Sequence, residues 1–375
     1  MVVVGAGPAG TSAAYVLAKL GVRVALLEKA SMPRYKPCGA GLVPRAIRSL
    51  PFDVSEVVEH QCYEAELNFA DVGMGFTVRR ESPIVTMTMR ENLDHLLFQK
   101  AAEAGAEVRD NCRVEGVESR KDWVEMLTPR GKVQGRFVIA CDGALGLVAR
   151  MAGWKETRRL IPVLEWEVFV SDAQFERFSG KARFDFGYFP SGYGWIFPKR
   201  DHLSIGLGGK KRVPGGLRRT LERYIRESAI DQIEKIERHG YVIPWSPRTD
   251  DLMKGRVLLA GDAAGFVDPV TAEGITFAIR SGQSAGRAVV EGGFEEKGVG
   301  RHYARLLKNL RGELRWGKPL QSLLYGPAVV RNLFFRLYGQ RLSEAVADVL
   351  SGTGSYRELL LNPSSYWSLL KIKGN

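Results

Sequence analysis

The sequence predicts an α/β chain, α+β overall, with a parallel sheet first, a mixed or antiparallel sheet in the middle and helices at the end. Three observations carry this. The chain opens on an apolar triplet, Val2 to Val4, a glycine turn and a helical stretch, then a second apolar run that ends at Glu28. Far downstream, Arg256-Val-Leu-Leu-Ala260 is a buried-type strand that returns to the first sheet, followed by Gly261-Asp262 and a long helical pattern from about Gly274. Between them, aromatic-rich strand patterns alternate with turns from about 155 to 245, and residues 297–375 are helical, basic and aromatic.

The first unit is the most specific. Val2 to Val4 make a short buried strand, Gly5 gives the tight turn, and Gly7 lets the backbone approach a pyrophosphate. Gly10 lets a helix from Thr11 to Leu20 pack close on the sheet, with its N-terminal N–H groups and positive dipole end toward the phosphates. Gly21 ends that helix, Val22 to Leu27 form a second strand, and Glu28 is placed to accept from ribose hydroxyls. Strand, turn, helix, strand and acid arrive in order within the expected ~30 residues of a Rossmann-like dinucleotide-binding unit.

Pro33, Pro37, Gly39, Gly41 and Pro44 then make a long irregular loop, which reads as functional. Residues 63–89 alternate in strand fashion, Arg90 begins an amphipathic helix ending near Gly105, and 108–118, 123–128 and 132–138 read as a strand meander. One helix is expected near 215–228 within the aromatic-rich region. The pattern divides into a discontinuous cofactor domain (1–60, 87–155 and 255–297), a substrate domain (61–86 and 156–254) and a helical region (298–375).

The 375 residues have an ordinary globular composition, 45% hydrophobic and 26% charged. No run approaches the ~20 apolar residues of a membrane span, and no signal-peptide pattern precedes the first strand, as expected of a cytoplasmic chain. The four cysteines show no metal or disulfide spacing and read as reduced thiols, and the five histidines are scattered, so no metal site is expected. The net charge of +12 fits a solvated surface, or attraction to anionic membranes or phosphorylated substrates, and no nucleic-acid partner is expected.

Two further pieces join the opening unit. Gly261-Asp-Ala-Ala-Gly265 ends a buried strand, with Asp268-Pro269 and Ala272-Glu-Gly-Ile275 beyond; Asp262 suits ribityl hydroxyls, and Gly274 and Ile275 can offer N–H groups to a flavin ring. Cys141-Asp142-Gly143 is a strand-end turn that can brace the first loop. In this order the three resemble the FAD-binding domain of the para-hydroxybenzoate hydroxylase-like flavoproteins, which implies FAD rather than NAD. The segment Ala144 to Arg150 lacks the serine often seen there.

Lys36-Pro-Cys-Gly-Ala-Gly-Leu42 resembles the Cys-Gly flavin loop of geranylgeranyl reductases, departing at Ala40, where that family usually has glycine or an acid. Tyr193-Gly-Trp195-Ile-Phe197-Pro198, followed by Gly206-Leu-Gly208, fits the same family's Y-x-W-x-F-P and G-x-G signature at every fixed position. Tyr193, Trp195 and Phe197 alternate on one strand face and would wall an apolar polyene, while Gly206 and Gly208 let a strand or ligand approach closely. Truncating Trp195 is expected to impair long prenyl substrates more than short ones, and stability less than affinity. The resemblance implies FAD contacts at Ala9, Glu28, Cys38, Gly39, Gly41, Arg90, Val114, Asp262, Gly274 and Ile275, in addition to Gly5, Gly7 and Gly10. Arg90 stands where its charge opposes the helix dipole, which a role in holding the pyrophosphate or the flavin loop explains.

The implied activity is FAD-dependent saturation of carbon–carbon double bonds in a geranylgeranyl chain, with Cys38 as the candidate catalytic side chain, tuning the flavin or supplying the proton. Expected partners are an isoprenoid lipid, an electron donor (NADPH or ferredoxin) and a membrane surface, because the apolar helical faces from Trp316 to Leu337 lie beside the basic residues Arg331, Arg336 and Arg341. The rival readings are a flavin monooxygenase or halogenase, although the halogenase-type Trp-x-Trp-x-Ile-Pro element is absent, and a membrane-peripheral electron carrier.

Overall fold

The computed structural model describes residues 1–210 and 215–361. Val2–Val4 sits in the middle of a six-stranded sheet, between Val138–Ala140 and Ala25–Leu27, with Val257–Leu259 and Glu107–Arg109 farther out, all parallel. Met253–Lys254 closes one edge antiparallel. Apolar runs are required here because helices cover such a sheet and bury its strands on both faces. Helix Pro8–Lys19 packs on helix Ile275–Glu291 so closely that a Cβ on Gly282 would overlap the Ala9 carbonyl.

Three boundaries differ from the sequence reading, each for a local reason. The first helix starts at Pro8 rather than Thr11, because a proline suits the first helical position. The second strand starts at Ala25 rather than Val22, since the Val22 N–H still bonds Leu17 O in the helix's closing turn. The stretch 108–118 is not one meander strand. Glu107–Arg109 joins the parallel sheet, Asn111 turns the chain at φ 45°, and Gly116–Ser119 begins the antiparallel meander with Val124–Thr128 and Gly131–Gly135.

The second large sheet has seven strands in the order Ile233–Pro244, Leu160–Val170, Leu203–Gly209, Gly192–Pro198, Lys181–Phe186, Glu64–Phe69 and Met74–Arg79. It is antiparallel except where Lys181–Phe186 runs parallel to Glu64–Phe69. A small sheet of Gly41–Leu42, Val85–Thr88 and Val58–Cys62 ties the irregular loop to the rest. The expected middle helix is Gly216–Glu227.

Helices Glu296–Leu324, Ala328–Ser351 and Tyr356–Leu361 follow, and the rest of the expected helical tail, 362–375, lies outside the described residues. One side of this region is core: Leu320, Leu324, Tyr325 and Phe335 cluster with Phe69 and Phe186 of the large sheet. The other side leaves Val329, Val330, Leu333 and Leu337 exposed. No helix among the described residues is long and apolar enough to cross a membrane.

Candidate active site

A cavity of about 610 Å³ lies where the ends of the parallel strands meet the large sheet, within the roughly 300–1,000 Å³ usual for cofactor and ligand sites. Gly5, Gly7 and Ala9 line it at the first turn, with Glu28 and Val114 beside them; Asp262, Gly274 and Ile275 line it from the downstream strand and helix. Gly10 stands behind the wall, where a Cβ would run into the Gly5 carbonyl, so its part is close packing. Cys141 O backs Gly5 in turn. Glu28 is held rigidly, its carboxylate accepting from Ala6 N at 2.8 Å and Ala30 N at 3.1 Å.

Helix Pro8–Lys19 begins at Gly7 with no side-chain cap, which leaves its first N–H groups to the cavity. Three cations gather there. A Cβ on Gly7 would lie 3.7 Å from Arg90 Nη2 and 3.9 Å from Arg34 Nη2. Arg90 Nε and Nη2 both donate to Asp94, at 2.8 and 2.7 Å, and Arg34 Nη1 lies 3.0 Å from the same carboxylate. Asp94, one turn along, is what holds a buried arginine against the dipole. Lys36 is half-buried alongside, its ammonium pushed below the usual lysine range by desolvation and then by Arg90.

The Cys-Gly loop is clamped to the large sheet. Cys38 N donates to Glu165 Oε2 at 3.0 Å, and Lys199 Nζ donates to Gly39 O at 2.7 Å and Thr88 O at 2.8 Å. A Cβ on Gly39 would stand 2.9 Å from the Phe197 ring and 3.3 Å from Trp195 Nε1, so any larger residue would have to push the aromatic wall aside. Ala40 has φ 48°, the left-handed conformation that glycine adopts without strain. Gly41 passes just as closely beneath Val85.

Tyr193, Trp195 and Phe197 all reach the cavity wall, neighbouring rings 6.2 Å apart. Tyr193 is tied to the downstream loop by its hydroxyl, which donates to Thr271 O at 2.6 Å. Gly208, paired with Tyr193, lines the cavity; Gly206 does not, since the Trp195 ring fills the space its Cβ would take. Trp195 Nε1 is buried with no hydrogen-bond partner.

Sequence reasoning passed over the polar groups that position these elements. Arg158, buried, donates to Asp262 O at 2.5 Å and Ala144 O at 3.0 Å, joining two strand-end turns. Glu273 lines the cavity between Arg45, at 3.3 Å, and the Thr276 N–H, which it accepts at 2.6 Å; burial pushes its carboxyl up. Glu165 and Glu167 lie side by side on one face of a buried strand, both bonded to Tyr35. Their signal in the sequence is two acids at alternate positions of an otherwise apolar strand.

The open helix N-terminus, the cations around Gly7 and the unpaired Trp195 N–H are donors, and the fixed Glu28 is an acceptor; together they suit a bulky anionic ligand with hydroxyls and ring acceptors, and FAD fits them. The fold and the site thus define a flavoprotein. A family model described as an FAD binding domain matches residues 1–291. The chain is 32% identical over 315 residues to digeranylgeranylglycerophospholipid reductase 1 of Methanopyrus kandleri, covering 78% of this chain and 80% of that one. It is 31% identical to the geranylgeranyl diphosphate reductase of Rhodobacter capsulatus, covering 77% and 74%. The chain belongs to the geranylgeranyl reductase family of FAD-dependent oxidoreductases. The fold is shared with a geranylgeranyl bacteriochlorophyll reductase-like protein from Thermoplasma acidophilum (TM-score 0.78, 20% identity, 98% and 97% coverage) and with an FAD-bound halogenase (TM-score 0.72, 17% identity, 98% and 84% coverage).

Proposed function

We propose that the chain saturates double bonds of a geranylgeranyl chain carried on a lipid. The observation that carries this is the continuity of one cavity from the phosphate-binding turn to an aromatic wall. Bound FAD, once reduced, supplies the hydride. Gly5, Gly7, Ala9 and the first helix would hold its pyrophosphate with Arg34 and Arg90, Glu28 its ribose, Asp262 its ribityl chain, and the N-terminus at Gly274 and Ile275 its ring. Phe184, Trp195 and Phe197 would exclude water and hold the polyene, because an unactivated alkene offers no charge to grip and must be positioned by contact. The Cys38 thiol stands in the loop beneath.

The lipid would be presented at a membrane surface, at its cytoplasmic face, by Val329, Val330, Leu333 and Leu337. This is supported by their exposure on one helix beside Arg336. The purified, FAD-loaded chain should be given a chemical reductant and geranylgeranyl lipids, and the products weighed by mass spectrometry. Products heavier by one hydrogen molecule per double bond are expected. Oxygenated or halogenated products would establish the halogenase-like reading, and flavin that cycles with no change in lipid mass would establish an electron carrier.

A further inference from the structure

Saturating a double bond consumes a proton as well as a hydride, and the aromatic wall keeps bulk water away from it. A chain of polar groups crosses that barrier. Glu165 is 1% exposed and lines the cavity, with Oε2 accepting from the Cys38 N–H at 3.0 Å and Oε1 from the Ser204 hydroxyl at 2.9 Å. The Tyr35 hydroxyl lies 3.1 Å from Glu165 Oε2 and 3.1 Å from Glu167 Oε1. Glu167 Oε2 is 3.1 Å from His202 Nε2, and His202 Nδ1 is 2.7 Å from Asp201 Oδ1, on a side chain that is 70% exposed. A phenol has one proton, so it can donate to only one of two carboxylates. The second contact is a hydrogen bond only if the other carboxyl is protonated, which makes the pair a place where a proton can rest.

We propose that Asp201, His202, Glu167, Tyr35 and Glu165 form a proton path from the surface to the cavity, with Glu165 as its inner end. This rests on the reading that the cavity is where the double bond is reduced. The balance is simple. The alkene takes a hydride from reduced FAD at one carbon, and its π pair forms the new bond to a proton at the other. The flavin is oxidised, and Glu165 gives up its proton and becomes a carboxylate. Tyr35 passes its proton to Glu165 and takes one from Glu167, which is resupplied by His202. One proton enters from solvent for each bond saturated.

The charges around the pair set where the proton rests. Burial and then the neighbouring Glu167 push the Glu165 carboxyl up to about 7. For Glu167, burial is outweighed by the His202 hydrogen bond and the Lys199 charge, which hold it below the usual range. Burial opposes charging His202, but its bonds to Glu167 and Asp201 raise it overall. Lys199, facing both glutamates and Glu59, and His239, whose ring lies 4.1 Å from that of Tyr35, complete the surroundings.

The test pairs infrared titration with kinetics on the FAD-loaded full chain. The wild type should show a protonated-carboxyl band, beyond those of the raised Glu273 and Asp142, that disappears between mildly acidic and mildly alkaline pH, is missing in Glu165→Gln, and moves its midpoint in Tyr35→Phe. With a geranylgeranyl lipid, Tyr35→Phe should lower kcat roughly 10- to 100-fold with KM little changed, and shift the alkaline limb of the kcat profile. A network that only braces the Cys38 loop would move neither the band nor that limb. The path is overturned if Glu165→Gln removes no band, or if Tyr35→Phe keeps wild-type kcat and pH profile. Should Glu165→Gln not fold, Tyr35→Phe decides by both readouts. A wild type that changes no prenyl lipid overturns the functional reading instead, and the band then still decides whether Glu165 holds a proton.

Discussion

Cys38 is held by its own backbone, through the N–H given to Glu165, while its thiol accepts from Ala40 N at 3.4 Å and sits against the Arg90 guanidinium. Removing the sulfur should therefore leave the loop in place. Cys38→Ala is expected to keep FAD, seen in the visible spectrum, and to lose most prenyl reduction; wild-type turnover would assign the thiol to packing. Glu28 does two jobs, since its carboxylate fixes the Ala6 and Ala30 N–H groups as well as facing the cavity. Glu28→Ala should weaken FAD binding by about 1.5–3 kcal/mol, the range for hydrogen bonds to a charged group, and lower the melting temperature too. A fluorescence titration of FAD that matches wild type would remove Glu28 from the site.

At the scale of elements, the aromatic strand Gly192–Pro198 is both cavity wall and core. Trp195 belongs to the cluster that contains Leu42, Met87 and Ile275, its ring fills the space above Gly206, and it presses on Gly39. The sequence suggested that truncating it would cost affinity more than stability, and the burial of the ring makes the stability cost large as well. Trp195→Ala should destabilise by roughly 3–5 kcal/mol, as buried large-to-small changes do, and loosen the flavin loop it supports. Geranylgeranyl substrates should still lose more affinity than geranyl ones, because the longer chain covers more of the wall. Thermal melts and a chain-length series on both proteins measure the two effects. Equal losses for both lengths would make the ring core alone.

For the whole molecule, Glu165 links protonation to folding. Its carboxyl ordinarily titrates at 4.5 but in the folded chain near 7, so the folded state binds the extra proton and stability falls as pH rises through that window. His202, raised in the fold, adds a loss in the same direction above 6.5. On the acid side Glu156 is held down to about 2, chiefly by its hydrogen bond from Arg158, and its contribution disappears as pH falls from 4.5 toward that value. Melting temperature should thus be highest on the mildly acidic side. Glu165→Gln should flatten the decline between 4.5 and 7. An unchanged slope in that variant would mean that Glu165 ionises normally.

Local chemistry sufficed to name the cofactor. A glycine turn between a buried strand and a helix has few other uses, so Val2 to Glu28 announced the phosphate site, and Asp262 and Gly274 followed from the same strand-to-helix logic. The aromatic strand was legible because period-two alternation survives in any sheet. What the sequence could not express was which distant groups meet. Glu165 and Cys38 are 127 positions apart, Lys199 and Gly39 160, and Arg158 and Asp262 104, and each pairing exists only because two sheets close on one cavity. Gly206 read as room for a strand or a ligand, and the room is taken by Trp195 of the paired strand. The sequence by itself determined the cofactor, the sheet that binds it and the aromatic character of the wall, since these depend on short-range spacing. Only the tertiary structure decided the buried polar network behind the loop, because desolvated charges find their partners across the fold rather than along the chain.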